Sequence, residues 1–287
     1  MNFWLLQILN AVSLGALLFL VASGLSMIFG LMRIVNVAHG TFYMLGAYAA
    51  FEFLKRIGDQ VIALVAAVIV MGLLGAVLQR GLIDRVKGDN LRQILMTFGL
   101  LLIFSDFALL FWQGTPVLLP TPRWLEGAIP FGNMNFPYYR AFVIVVGFAL
   151  ALGLDLMQQR TRLGSMIRAG ADDLEMLSCM GVDVRRLFTL VFALGTALAG
   201  LGGALGGVFL GVYPGIDLEL GILAFVVVIV GGLGSVRGTF AASLLVGLID
   251  NLTKAFLPEV SMFAIFLLMV VVIAWKPSGL FGRKSIA

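Results

Sequence analysis

The sequence predicts an all-α membrane protein, a polytopic bundle of helices that cross the bilayer many times. Of the 287 residues, 61% are hydrophobic and only 12% are charged, whereas a soluble domain carries about 25% charged residues. Apolar runs close to the roughly 20 residues that span hydrocarbon recur along most of the chain. These runs lack the alternation of barrel strands, so their backbone groups must be satisfied within helices.

Nine apolar runs are long enough to propose as spans. They are residues 5–31, 37–54, 61–78, 91–112, 141–157, 187–212, 221–233, 240–257 and 260–275. The second and seventh runs are short and rich in glycine, so either could be broken or re-entrant, and we expect eight to ten crossings. The first run has no A-x-A-like cleavage site, which favours a retained span. We therefore expect one transmembrane domain over residues 1–287.

Basic residues set the expected orientation, because cytoplasmic loops are enriched in Lys and Arg. They collect in three segments: Arg80, Arg85, Lys87 and Arg92; Arg160, Arg162, Arg168, Arg185 and Arg186; and Lys276, Arg283 and Lys284 in the tail. Nine crossings that begin outside place all three segments in the cytoplasm. Lys55 and Arg56 are the exception, since the same count places them outside.

The segment 114–140 is the longest outer loop on this count. Its five prolines deny it a continuous helix, and Trp124, Tyr138 and Tyr139 suit the membrane interface. It is therefore the expected surface for an external partner.

The stretch 158–186 between the fifth and sixth runs is polar where its neighbours are apolar. Its sequence from Gly164 is GSMIRAGADDLEMLSCMGVDVRR, with apolar side chains at roughly helical spacing between charged ones. This pattern predicts a short amphipathic helix, of a kind that seats in a groove of another protein. Gly181 would end that helix. The alternative is an ordinary solvated loop.

Small and polar residues inside the runs predict packing faces and a path. Ala199, Gly203, Gly207 and Gly211 recur every four residues and predict a helix-packing face. Polar side chains within a span usually face protein or water. The candidate path comprises Asn36, His39, Gly40, Gly231, Gly232, Gly234 and Ser235. The competing interpretation for Asn36 and His39 is that they cap the inner end of a helix. Asp106, Asp155 and Asp250 are further polar positions, each of which could pair with a basic group.

Motifs for catalysis or metal binding are missing from the sequence. There is one histidine, and Cys179 is the only cysteine, so we predict neither a metal site nor a disulfide. The tail lacks the G-x-x-x-x-G-K-[ST] spacing of a phosphate loop, so ATP would have to be handled by another chain. We predict no enzyme. The small, dispersed net charge of +4 gives no indication of nucleic-acid binding.

Five segments together resemble the permease subunits of high-affinity branched-chain amino acid ABC importers. They are FGLMRIVNVAHGTFYMLGAY (29–48), the polar stretch from Gly164 to Arg186, FTLVFALGTALAGLGG (188–203), AFVVVIVGGLGSVRG (224–238) and KPSGLFG (276–282). They extend from the first span to the C-terminus, in the order expected for that family.

The resemblance implies a pore subunit with the architecture of a type II ABC importer permease in a bacterial inner membrane, with a periplasmic N-terminus and a cytoplasmic C-terminus. The implied partners are membrane lipid, a related but different second permease, two ATPases and a periplasmic binding protein. No cofactor would bind this chain, and ATP and Mg would bind the ATPases. The implied ATPase contact is Gly164, Arg168, Asp172, Asp173, Glu175 and Gly181.

The resemblance leaves the docking contact, the substrate and the class of transporter open. The sequence departs from the family pattern at Asp172, Asp173, Leu174 and Met176, where small alanines are frequent, so the docking contact would differ in detail. The substrate could instead be urea, an amide or another small solute imported by the same superfamily. A secondary transporter that needs no ATPase is the rival from a different class.

Overall fold

The structure, a computed structural model, describes residues 2–86, 88–131 and 134–282. Lys87, Arg283 and Lys284, which contribute to the orientation argument, lie outside the described residues. The long helices are α1 (Asn2–Met32), α2 (His39–Ile57), α3 (Gln60–Gly81), α4 (Asn90–Trp112), α5 (Tyr138–Arg160), α8 (Val184–Phe209), α9 (Ile216–Gly231), α10 (Val236–Phe256) and α11 (Ser261–Trp275). Between α5 and α8 lie two short helices, α6 (Arg162–Asp172) and α7 (Leu174–Cys179).

Each of the nine predicted runs coincides with a long helix. Six segments of the described chain are long and apolar enough to cross a membrane, namely α1, α4, α5, α8, the segment Gln60–Val86 that contains α3 and the segment Pro258–Trp275 that contains α11. The remaining long helices are α2, α9 and α10, and α9 has only 16 residues. The predicted multi-pass helical bundle is confirmed.

Helices α1 and α8 form the centre of the bundle. The most apolar window of α1 is 83% buried and that of α8 is 67% buried, against 28% or less for the other four spanning candidates. Glycines let the central backbones approach closely: a Cβ added to Gly24 would lie 2.3 Å from Gly195 O, and one added to Gly46 would lie 2.5 Å from Gly200 Cα. The outer helices α3, α4, α5 and α11 expose apolar side chains, as lipid-facing helices do.

The chain breaks after α1 and turns back into the bundle through residues 33–38. The ring of His39, the first residue of α2, lies with Nε2 3.0 Å from Val21 O. Val21 precedes the end of α1 by eleven residues, which corresponds to about 16 Å along a helix. The break therefore lies at and before the start of the second predicted run, which from His39 forms one continuous helix, and α2 begins well inside the bundle.

A second break follows α8 at residues 210–215 and brings α9 to the same place. A Cβ added to Gly40 of α2 would lie 1.9 Å from Asp217 O in the first turn of α9. The predicted end of the sixth run at 212 and the predicted start of the seventh run at 221 were wrong, because α8 ends at Phe209 and α9 begins at Ile216. Gly211, with φ of 75°, therefore lies outside α8.

The segment between α4 and α5 covers one end of the bundle. It contains a 3₁₀ turn (Arg123–Leu125) and an antiparallel hairpin of β1 (Ala128–Phe131) and β2 (Met134–Pro137). Leu119 N donates to Gly207 O at 3.1 Å, which fastens the segment to α8. The sequence did not predict the hairpin. Tyr138 and Tyr139 belong to α5 rather than to the loop 114–140 as drawn from the sequence.

The other end of the bundle carries most of the basic segments. Arg185 at the start of α8 pairs with Asp84 at 2.7 Å. An added Cβ at Gly30 of α1 would lie 2.5 Å from Gly234 Cα. The tail docks here too, since Leu280 N donates to Val230 O at 2.8 Å. We call this end, with α6 and α7, the basic end.

Candidate functional site

The first candidate site is the place where α2 and α9 begin, facing each other inside the bundle. The first N–H groups of a helix have no partner within it, and its N-terminus carries a partial positive charge. Asp217 lies between the two N-termini with 1% of its surface exposed. Its Oδ2 accepts a hydrogen bond from Ser105 Oγ of α4 at 2.5 Å and a longer one from Thr41 Oγ1 of α2 at 3.4 Å. The arrangement can bind a small polar group at the meeting point of three helices.

Asn36 and His39 add unpartnered polar atoms to this place. Asn36 is 1% exposed, and both its amide oxygen and its amide nitrogen lack a hydrogen-bond partner. His39 is fully buried with Nδ1 unpartnered. Neither side chain caps α2, whose N-cap residue is Ala38. Buried polar atoms are normally satisfied by protein or water. We call Asn36, His39, Gly40, Thr41 and Asp217 the junction site.

The other predicted path residues lie away from the junction site, at the turn between α9 and α10. Gly232 and Gly234 have φ of 100° and 78°, which favours glycine. Ser235 caps α10, its hydroxyl accepting from Gly238 N at 3.1 Å. The tail covers Gly231, whose O accepts from Phe281 N at 3.0 Å. The structure therefore does not bring these residues together with Asn36 and His39.

Three of the predicted packing residues lie on α8, on the side where α2 approaches. A Cβ added to Gly203 would lie 1.9 Å from Tyr43 O, and one added to Gly207 would lie 3.4 Å from the Ala47 Cβ. Ala199 is fully buried. The close approach of α2 to α8 fixes where the junction site lies. Gly211 has no part in it, because it follows the end of the helix.

The second candidate site is the pair α6 and α7, which we call the inner hairpin. Gly164 allows a sharp turn out of α5, since a Cβ there would lie 2.3 Å from both Met157 O and Gln158 O. Asp173 separates the two helices and caps α7, accepting from Glu175 N at 2.9 Å and Met176 N at 3.0 Å. Gly181, with φ of 81°, turns the chain back after α7. The predicted single helix is thus two helices, because the Asp173 cap starts a new one.

One face of the inner hairpin is exposed and the other packs on α1. Met176 is 61% exposed and Met180 is 75% exposed, beside the exposed acids Asp172, Asp173 and Glu175. On the packed face, a Cβ added to Gly170 would lie 2.7 Å from the Leu31 side chain. Arg168 Nη1 is buried and unpartnered within the described chain.

The inner hairpin also contacts the first break directly. The guanidinium of Arg33 donates to Ala171 O at 3.3 Å. Arg33 has φ of 54°, in the left-handed region that non-glycine residues rarely adopt. A displacement of the inner hairpin would therefore be transmitted to the segment that leads into α2.

The acidic residues weighed from the sequence have different surroundings. Asp155 forms two hydrogen bonds with Arg237, at 2.8 and 3.0 Å, and Asp250 pairs with Lys254 at 2.8 Å. Asp106 is exposed on α4. Sequence reasoning missed Asp217 because it began the seventh run at residue 221. The available signal was the position of Asp217, an acid between the sixth and seventh apolar runs.

Comparisons with known proteins agree on one family. The family model described as branched-chain amino acid transport system, permease component, matches residues 7–274. The high-affinity branched-chain amino acid transport system permease protein BraD of Pseudomonas aeruginosa is 31% identical, over 99% of this chain and 97% of its own. LivH of Escherichia coli, with the same description, is 28% identical over the same shares. A probable LivH of Methanocaldococcus jannaschii is 25% identical over 86% of this chain and 80% of its own. No solved structure matches the chain.

Proposed function

Because the chain belongs to the branched-chain amino acid transport permease family, we propose that it forms part of the pore of an ATP-driven importer for branched-chain amino acids. The observation that carries the proposal is the junction site, where two interrupted helices begin inside the bundle. Transporters place substrate sites at such interruptions, because helix ends bring polar groups and partial charges within the membrane. The chain would do no covalent chemistry, and ATP and Mg would bind to partner subunits.

The proposed assembly has five chains with distinct roles. A second, related permease would complete the pore, two ATPases would bind below, and a periplasmic binding protein would deliver the substrate. The segment between α4 and α5 would face that binding protein, since it covers the end of the bundle opposite the inner hairpin.

The inner hairpin is the proposed contact with the ATPases. Its exposed methionines supply apolar area, and Asp172, Asp173 and Glu175 supply charge beside them. Movement of the ATPases would push the inner hairpin against α1 and, through Arg33, against the first break. The start of α2 would then move relative to the start of α9. This sequence of contacts would link ATP hydrolysis to the junction site.

The proposed orientation follows from the basic end. Cytoplasmic surfaces are enriched in Lys and Arg, and Arg80, Arg85, Arg92, Arg185 and Arg186 all lie at or next to that end. We place it in the cytoplasm and the N-terminus in the periplasm of a bacterial inner membrane. In a Cys179→Ser background, a cysteine replacing Met180 should react with an impermeant maleimide only in inside-out vesicles. A cysteine replacing Trp4 should react only in right-side-out cells, and the reverse pattern would invert the topology.

The function is tested by reconstituting the complex in liposomes and measuring leucine uptake with and without ATP. Uptake should require ATP and the binding protein; equal uptake without ATP would indicate a secondary transporter instead. Neutralising Arg168, Asp172 and Glu175 together should abolish uptake and the stimulation of ATPase activity. The matched control is Asp89→Asn with Arg92→Gln, an exposed pair at the same end, which should transport normally. Normal uptake by the triple variant would refute the docking assignment.

A further inference from the structure

Asp217 differs from the other acids at helix interfaces of the described chain, because it has no basic partner. Asp84 pairs with Arg185, Asp155 with Arg237 and Asp250 with Lys254. Asp217 is 1% exposed, yet only hydroxyl groups contact its carboxylate. An unpaired charge inside a membrane protein is costly and usually serves a substrate or ion.

The two helix N-termini direct partial positive charge towards this carboxylate. Asp217 lies in the first turn of α9 and beside the first residues of α2, where a negative charge is stabilised by the partial positive charge of a helix end. The carboxylate therefore occupies the place that an anionic group of a substrate would otherwise take. An incoming anion would meet a negative charge there, and an incoming cation would be attracted.

A buried tyrosine supplies an independent indication of a ligand. The hydroxyl of Tyr48 is fully buried and has no hydrogen-bond partner in the described chain, although buried tyrosines normally find one. Tyr48 follows Thr41 by seven residues, so both lie on the same face of α2. Its ring stacks on Trp112, with centroids 4.1 Å apart.

Further negative charge lies on the same two helices, α9 and α4. Glu219, two residues after Asp217, is exposed and accepts a hydrogen bond from Tyr213 at 2.9 Å. Asp106 is exposed next to Ser105 on the otherwise apolar face of α4. Within the described chain, no basic group lies within ion-pair distance of any of these three acids.

We propose that Asp217 is the binding site for a protonated amine of the transported substrate, with the hydroxyl of Tyr48 as a hydrogen-bond partner. This proposal rests on the proposed function as a pore subunit and deepens it, since it names the group that the pore recognises. The amine can be the ammonium group of an amino acid or that of a compound without a carboxylate. The site would not bind a carboxylate without an amine.

The test uses the purified complex of permeases and ATPases without the binding protein, with Trp112 as the reporter. The exposed residues Trp4, Trp124 and Trp275 are replaced by Phe in this chain, and tryptophans of the other subunits are treated likewise. Three probes share one side chain: leucine, isopentylamine without the carboxylate, and 4-methylpentanoate without the amine. We expect leucine and isopentylamine to change Trp112 emission with saturation, and 4-methylpentanoate to leave it unchanged. A response to isopentylamine alone would assign the site to amines that lack a carboxylate.

Variants decide whether Asp217 is responsible. Asp217→Asn should weaken isopentylamine binding by about tenfold or more, the value of a hydrogen bond to a charged group, and Asp155→Asn should bind as the parent does. If Asp217→Asn fails to fold, Tyr48→Phe should weaken binding by about threefold to tenfold. Equal responses to isopentylamine and 4-methylpentanoate, or unchanged affinity in the variants that fold, would overturn the proposal. ATP-driven leucine uptake with no amine response would reject this site alone and leave the proposed function standing.

Discussion

The two breaks in the bundle have the same plan and are held in different ways. Each follows a long central helix, occupies six residues, and leads into a shorter helix that begins inside the bundle. The first break is held by a side chain: Val37 N donates to Thr97 Oγ1 of α4 at 3.2 Å. The second is held by backbone, with Val117 and Val212 exchanging two hydrogen bonds of 2.8 Å.

This difference indicates which half of the junction site moves. The first break is tied to the peripheral helix α4 by two long hydrogen bonds of 3.2 and 3.4 Å, both through Thr97, and it contacts the inner hairpin through Arg33. The second is fixed to the segment that covers the opposite end of the bundle. We infer that α2 is the mobile partner and α9 the fixed one. Their oppositely directed entries into the bundle resemble the inverted repeats of many transporters.

The largest expected effect tests the close contact between the two helix starts. Gly40→Ala would place a Cβ 1.9 Å from Asp217 O, whereas a Cβ at Gly221 would lie 3.6 Å from Gly40 Cα, an ordinary contact. Overpacking of this kind costs about 1–3 kcal/mol or more. Gly40→Ala should therefore lower the melting temperature in detergent and abolish uptake, and Gly221→Ala should change neither. Equal behaviour of the two variants would mean that the helix starts are not in contact.

The second prediction concerns the side chain that holds the first break. Thr97→Val removes the acceptor of Val37 N–H and should cost about 1–3 kcal/mol, because a buried donor is left unsatisfied. Thr115→Val is the matched control, since that hydroxyl bonds only within its own exposed turn, to Trp112 O. Unfolding in denaturant measures both. If α2 is the mobile partner, Thr97→Val should also alter ATP-dependent uptake more than Thr115→Val does.

The third prediction tests the backbone bridge at the second break. Val117→Pro removes one of its two hydrogen bonds, which should cost about 0.5–1.5 kcal/mol, and hydrogen exchange at Val212 should become faster. Val117→Ala keeps the bridge and serves as the control. Because α9 is the fixed partner, we expect the proline variant to lose stability before it loses the coupling of ATP hydrolysis to uptake. A loss of coupling at full stability would assign the motion to α9.

The smallest expected effect lies outside both breaks, at the pair Asp155 and Arg237. The Arg237 side chain is 64% exposed and that of Asp155 is 23% exposed, so solvent screens much of their attraction. A double-mutant cycle with Asp155→Asn and Arg237→Gln should give a coupling energy close to zero. A larger value would show that the contact between α5 and α10 stabilises the bundle as strongly as the breaks do.

The sequence was sufficient for the parts of the fold that depend on local composition. All nine apolar runs became helices, because roughly 20 apolar residues in lipid have no other way to satisfy their backbone. Gly181 turns the chain back after α7, as its position in the pattern indicated. The Asp173 cap within the inner hairpin was missed, since a capping residue and an exposed charge look alike in sequence.

The candidate site could be predicted only in part. Asn36, His39 and Gly40 were found because polar residues stand out in an apolar run. Asp217, Thr41 and Ser105 were not, since they come from three helices that are far apart in sequence. Gly231, Gly232, Gly234 and Ser235 were grouped with Asn36 by composition, yet they lie at the turn between α9 and α10.

Composition by itself determined that this chain is a membrane-embedded helical bundle, because the cost of placing polar backbone in hydrocarbon acts on each segment separately. Only the tertiary structure decided that α2 and α9 begin face to face. That meeting depends on glycines such as Gly40 and Gly203, which let backbones approach to distances that any side chain would prevent. Such contacts join positions more than 150 residues apart in the chain, and no local pattern specifies which glycine will meet which helix.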